Sequence, residues 1–210
     1  MKLFRGLATE VDPQWADHLL DSGVIPSFRG GYLGISALRN SDVLTAVSIV
    51  AGDVSRFPLV ITDSSTDEVI DLSDIDYLMN TKVNKRLSAY QWKFSMMVNA
   101  ILTGNAYSRI VRDPITNEPA MFEFYAPSQT QVDTSDPDNI IYRFTPYNSS
   151  MQKICGFEDV IHWKFFSYDT IMGRSPLLSL GDEIVLQESG VSTLQKFFKS
   201  GLKGSIIKAK

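Results

Sequence analysis

Between Ser88 and Gly104 the chain spells out both ends of a helix, and this segment constrains everything around it. Ser88 followed three residues later by Gln91 is a capping box, in which the hydroxyl accepts from a first-turn amide and the glutamine reaches back to the serine. Tyr90, Phe94, Met97 and Ile101 recur at helical spacing and predict an apolar stripe that needs a surface to cover it. Gly104 is placed to end the helix in the left-handed region, where a glycine has no Cβ to clash.

Upstream, Ser41 is read as the cap of an earlier helix with Asp42 in its first turn. Val43, Val47, Val50, Ala51, Val54 and Phe57 line one face, and Pro58 stops it. Leu59–Thr62 reads as a strand, the polar run from Ser64 to Glu68 as a turn, and Ser73–Asn80 as a short helix ending at an asparagine. Residues 1–39 form an irregular arm rich in glycine and proline, with a short helix around Gln14–Leu20, expected to be mobile or to lie on a neighbouring subunit.

Downstream of Gly104 the pattern changes to strands: Ala106–Arg112, Ala120–Tyr125, Gln129–Asp133, Ile140–Thr145 and Val160–Phe165, separated by turns such as Asp113–Pro119. The two helices are expected to bury their faces on one common sheet. Ser175 and Pro176 then open a long helix through Phe198, with Gly190 as a weak point and Gly201 as its end. Helices followed by a run of strands and a final helix give an α+β fold: a mixed or antiparallel sheet packed by helices, then a long helix. The divisions are 1–39, 40–174, 175–201 and 202–210, with the apolar close Ser205–Lys210 reading as a chain cut short.

Catalytic chemistry has little to draw on. The chain holds two histidines, His18 and His162, and one cysteine, Cys155, which reads as a half-buried apolar residue. His162 alternates with Ile161 and Trp163 in a strand and reads as a histidine satisfied at a sheet surface, although a base using His162 with Asp159 or Asp169 is a conceivable rival. No CxxC, HxxxH or HExxH spacing points to a metal, and Gly30-Gly31-Tyr32-Leu33-Gly34 lacks the lysine and hydroxyl of a phosphate loop. Asp67, Glu68, Asp71, Asp74 and Asp76 lack calcium-loop spacing and read as a solvated acidic face. Phe122, Phe124, Tyr125, Tyr142, Phe144 and Tyr147 read as sheet core, there being no interleaved cations for a base-stacking platform. No catalytic, cofactor or metal residue is assigned.

The formal net charge is −4, which argues against a basic surface that wraps nucleic acid. The exception is the end, where Lys196, Lys199, Lys203, Lys208 and Lys210 occur with no acid among residues 196–210. Neither a secretory signal nor an apolar run of roughly 20 residues is visible, so no membrane segment is expected.

Four stretches, in order, resemble the tailed-bacteriophage portal protein (head-to-tail connector) family. They are Asn40–Ile61 with its Asn-Ser-Asp start and Pro-Leu close, Leu102–Asp113 with Gly104 and Asn105 at the bend, Phe122–Asp133 with a proline between two strands, and Glu158–Leu180 with Ile-His followed by Gly173-Arg174-Ser175-Pro176. One departure is Asp169-Thr170-Ile171-Met172, where the family commonly turns through Asp-Gly. The resemblance implies a wing-like α+β body over 40–174, a helix towards the stem over 175–201 and the start of a clip region over 202–210. It further implies a ring, a dodecamer, at the capsid vertex of the virion, assembled in the host cytoplasm. Double-stranded DNA would pass through the ring in packaging and ejection. Terminase large subunit, capsid, scaffold and head-completion or tail proteins would be its partners, with no enzymatic activity. On this reading Lys199, Lys203, Lys208 and Lys210 contact DNA or a partner, and Gly104, Asn105, Gly173, Ser175 and Pro176 are structural corners. A virion or tail adaptor domain without a DNA channel is the alternative.

Overall fold

A computed structural model describes residues 34–70, 73–136, 138–147, 149 and 151–200. The helix predicted around Gln14–Leu20, residues 202–210 and Gly201 lie outside these residues. Gly34–Arg39, within the stretch read as irregular, forms a 3₁₀ helix with Ala37 fully buried. Helix α1 follows at Ser41–Arg56, and its cap is Asn40, not Ser41: the Asn40 Oδ1 accepts from the amides of Asp42 at 3.0 Å and Val43 at 3.3 Å. Asparagine reaches the first-turn amides as well as serine does, which leaves the choice open in sequence.

Leu59–Thr62 is not a strand. Only one bridge, Thr62 to Val69, forms there, closing a turn in which Asp63 Oδ1 accepts from the amides of Ser65 and Thr66. The same turn recurs at Asp113, whose Oδ1 accepts from Ile115 and Thr116, with Asn117 at φ 60 where the first turn has Asp67 at φ 54. Helix α2 spans Ser73–Asn80 and helix α3 spans Ala89–Thr103. The α3 capping box is formed, and Gly104 ends the helix at φ 87, ψ −20.

The strands divide into two antiparallel sheets and not one. Strands β1 (Asn105–Arg112), β2 (Pro119–Tyr125) and β6 (Val160–Lys164) pair in the order β2-β1-β6. The second sheet has β3 (Thr130–Asp133), β4 (Ile141–Phe144) and β5 (Lys153–Gly156) in the order β3-β4-β5. Strand β5 is not expected from sequence, since four residues with one outward isoleucine carry almost no alternation signal. Tyr107, Tyr125, Tyr142 and Phe144 form the core that joins the sheets, with Tyr125 and Phe144 stacked at 4.6 Å. Tyr147, expected in that core, is 85% exposed in the turn that follows β4.

Helix α3 lies between two partners, so its buried surface is wider than the stripe read from sequence. Trp92, Met96 and Ala100 face the first sheet with Phe122 and Trp163, while Ile101 and Leu102 face α1 with Val47. Tyr90 is exposed. A helix covered on two sides shows no single apolar face, which is why the spacing of Tyr90 and Phe94 misleads. Helix α1 packs on α3 and not on a common sheet. Its C-terminal carbonyl at Phe57 accepts from the buried Lys93 Nζ at 2.7 Å, and burial lowers the Lys93 pKa. The last helix, α4, spans Leu177–Ser200 and runs unbroken through Gly190.

Candidate functional site

The residues that launch α4 meet the end of α3 in one corner. The left-handed Gly104 lies so close to Gly173 that a Cβ on Gly104 would sit 2.6 Å from the Gly173 carbonyl oxygen, and one on Gly173 would collide with the Gly104 carbonyl. Asn105 fills the remaining gap: its Nδ2 donates to Gly173 O at 2.9 Å and its Oδ1 accepts from Gly173 N at 2.8 Å. The side-chain amide thus replaces a strand neighbour for a residue that has none.

Ser175 serves two helices with one hydroxyl. Its Oγ donates to Ile101 O in the last turn of α3 at 2.8 Å and accepts from Leu177 N in the first turn of α4 at 3.1 Å. Pro176 stands immediately before Leu177, the first residue of α4, where a missing N–H is no loss. The connector from β6 is held by Arg174 N donating to Phe166 O at 2.6 Å and by Asp169 Oδ1 accepting from Ile171 N and Met172 N.

His162 joins this corner to the second sheet. Its Nε2 lies 2.9 Å from Asn105 Oδ1 and its Nδ1 lies 3.0 Å from Tyr142 Oη. Because Asn105 Oδ1 already accepts from Gly173 N, it is the oxygen, so His162 Nε2 carries the proton and Nδ1 accepts from the Tyr142 hydroxyl. Burial first, and then the nearby Lys164 cation, pushes the His162 pKa down to about 3. The imidazole is neutral with both nitrogens engaged. Asp159 instead binds Arg112 Nε at 2.6 Å, and Asp169 serves its own loop, so the histidine–carboxylate pairings considered from sequence do not form.

The other ionic centre ties the sheets together. Glu123 on β2 accepts from Arg109 Nη1 at 3.1 Å, Lys153 Nζ at 2.9 Å and Tyr125 Oη at 3.1 Å. Burial alone would raise the Glu123 pKa, but the bonds from Lys153 and Arg109 outweigh it and hold the carboxyl below its ordinary value. With three donors on it, this carboxylate is committed to structure. Among the described residues no three His, Cys, Asp or Glu converge on a metal position, and no helix is long and apolar enough to cross a membrane.

The lysines assigned to contacts are not brought together by the described residues: Lys199 is exposed in the last turn of α4, and Lys203, Lys208 and Lys210 lie outside them. A different feature of α4 escapes the sequence reading. Leu177, Leu180, Ile184, Gln187, Val191, Leu194 and Phe198 follow a 3-4 spacing, the seam of a coiled coil. Leu177 and Ile184 are buried on the body, Leu180 between them is 48% exposed, and Gln187 donates to Asp42 Oδ2 at 2.6 Å and accepts from Asn40 Nδ2 at 3.2 Å. Beyond Gln187 the seam leaves the body, with Val191, Leu194 and Phe198 at 49%, 56% and 76% exposure. The single polar Gln187 interrupts the apolar run and hides the period.

No curated protein matches this chain. Its fold is similar to a chain in the neck of an empty GTA particle computed with C6 symmetry, at TM-score 0.63 and 16% identity over 90% of this chain and 52% of that one. A chain in the neck of a native GTA particle computed with C12 symmetry gives 0.61 and 15% over 89% and 51%. A chain of the native gene transfer agent virion gives 0.61 and 16% over 81% and 46%. The protein spans about half the length of these solved chains. The profile described as phage portal protein matches residues 41–210, from the first residue of α1 through the corner and beyond α4, and the chain belongs to the phage portal protein family.

Proposed function

We propose that this chain is a subunit of a portal ring, a head-to-tail connector at the capsid vertex through which double-stranded DNA is packaged and ejected, and that it acts as a mechanical part with no catalysis of its own. The observation that carries the reading is the apolar seam of α4. A helix that leaves its body with Val191, Leu194 and Phe198 in water is stable only when another surface covers that side. A ring supplies the surface by repetition, and twelve copies is the number proposed, in keeping with the C12 neck to which the fold is similar.

The Gly104–Asn105–Gly173–Ser175–Pro176 corner then sets the angle at which α4 leaves the wing-like body towards a stem, and residues 202–210 begin a clip region. The body is net acidic, so the phosphates of passing DNA are repelled over short range and slide. Lys199, Lys203, Lys208 and Lys210 offer salt-sensitive contacts to DNA or to a partner at the ring mouth. Assembly in the host cytoplasm with scaffold and capsid proteins, docking of the terminase large subunit, and later head-completion and tail proteins complete the proposed set of partners. Two experiments test the proposal. Negative-stain images of the purified chain are expected to show closed rings, and a field of isolated monomers would contradict it. Replacing the four lysines by glutamine is expected to weaken packaging; unchanged packaging and terminase affinity would remove their assigned role.

A further inference from the structure

The charge of this chain is sorted along its sequence. Residues 40–79 hold eight acids and one base, Arg56, whereas residues 80–112 hold six bases and no acid. Arg56 pairs with Asp53. Three of the six bases, Lys82, Lys85 and Arg86, sit exposed on one turn between α2 and α3, and no acid among the described residues lies within ion-pair distance of them.

This turn is rigid. Val83 is fully buried and its carbonyl accepts from Phe122 N at 3.1 Å, while Asn84 Nδ2 donates to Phe122 O at 2.9 Å. Asn84 Oδ1 also accepts from the amides of Arg86 and Leu87. The backbone that carries the three cations is therefore held in place before any partner arrives. Asp74 lies exposed in the first turn of α2, and Glu68 lies exposed in the turn closed by the Thr62–Val69 bridge; neither pairs with a base among the described residues. The eight-residue helix sets Asp74 roughly 12 Å from the basic turn, about one Debye length, so the two present opposite signs.

We propose that the turn bearing Lys82, Lys85 and Arg86 on one copy of the chain docks against the exposed acids Glu68 and Asp74 on the next copy. The inference rests on the ring reading above. A ring built of one chain needs two different patches that fit each other, and here one chain carries exposed side chains of each sign with no partner of opposite sign among the described residues. Opposite charges across such a joint set register and steer association. A DNA duplex fits the same cations less well, because a continuous line of phosphates would also run over the acid-only segment next to them.

The test uses the full chain in three forms: wild type, Lys82→Glu/Lys85→Glu/Arg86→Glu, and Glu68→Lys/Asp74→Lys, each checked for unchanged circular dichroism and read by mass photometry at low and high salt. Each variant alone is expected to assemble at least about tenfold more weakly than wild type at low salt. An equimolar mixture is expected to recover assembly, since acidic turn then meets basic patch and basic turn meets acidic patch in alternation. Wild type assembling while both variants assemble equally well would overturn the charged joint and leave the ring intact. A monomeric wild type would instead count against the ring, and a mixture that also failed to associate would remove the joint with it. Variants that assemble normally but lose binding to duplex DNA would reassign the turn to nucleic acid and overturn the proposal.

Discussion

Asn105 holds Gly173 as a neighbouring strand would, giving its Nδ2–H to the glycine carbonyl at 2.9 Å and taking the glycine N–H at 2.8 Å on Oδ1. The two residues are 68 positions apart, and their contact closes the space between the end of α3 and the start of α4. Asn80 does the same for Leu59, with both bonds at 2.8 Å. Asn105→Ala would orphan the Gly173 amide and carbonyl and the His162 Nε2–H in a buried place. The expected loss is about 3 kcal/mol in urea unfolding, because an unpaired buried polar group costs about 1–3 kcal/mol.

The glycines divide by position. Gly104→Ala and Gly173→Ala each drive a methyl into backbone of the other segment, and Gly104 also needs its positive φ, so each should cost more than about 3 kcal/mol. Gly190 sits in the middle of α4 with nothing within 4 Å of a Cβ, and Gly190→Ala should stabilise by up to about 1 kcal/mol. Thermal melts of the three variants check the contrast.

His162 predicts a pH dependence with a definite sign. Its folded pKa of about 3 lies below the ordinary value near 6.5, so the unfolded chain takes the proton first. Its share of stability is complete above about pH 6.5 and is lost as the pH falls towards 3. Between pH 7 and pH 5 the chain should lose about 2 kcal/mol that a His162→Gln variant does not lose, as measured by urea unfolding at both pH values.

Much of the local structure is legible in the sequence. The α3 capping box, Gly104 as a left-handed stop, and the Ser73–Asn80 helix all follow from side chains that act within one turn of the backbone. The failures are non-local. Nothing near Gln129 says that β3 turns away from β2 into a second sheet, since the pairing of β3 is decided by β4, and β5 is too short to signal itself. The corner residues are visible as turn formers, but the roles of Asn105 and His162 depend on Gly173 and Tyr142, and no spacing rule connects positions so far apart. Lys93 is hidden for a similar reason: a lysine buried to cap another helix looks in sequence like any surface cation.

Thr170 stands at φ 63, in a region that a β-branched residue enters only under strain, and it occupies the turn where the resemblance leads one to expect a glycine. Its carbonyl accepts from Lys164 Nζ, a bond that any residue at 170 would keep. Thr170→Asn, which tolerates the left-handed region, should raise stability by roughly 0.5–1 kcal/mol in thermal or urea unfolding.

The central claim is that the exposed half of the α4 seam is an assembly surface. Its direct measurement is the mass distribution of the purified wild-type chain beside that of Leu194→Asp/Phe198→Asp, two positions that are more than half exposed in the isolated subunit. A closed multi-subunit species for the wild type and monomers with unchanged circular dichroism for the variant is the result this account predicts. Equal mass distributions for the two proteins would contradict it.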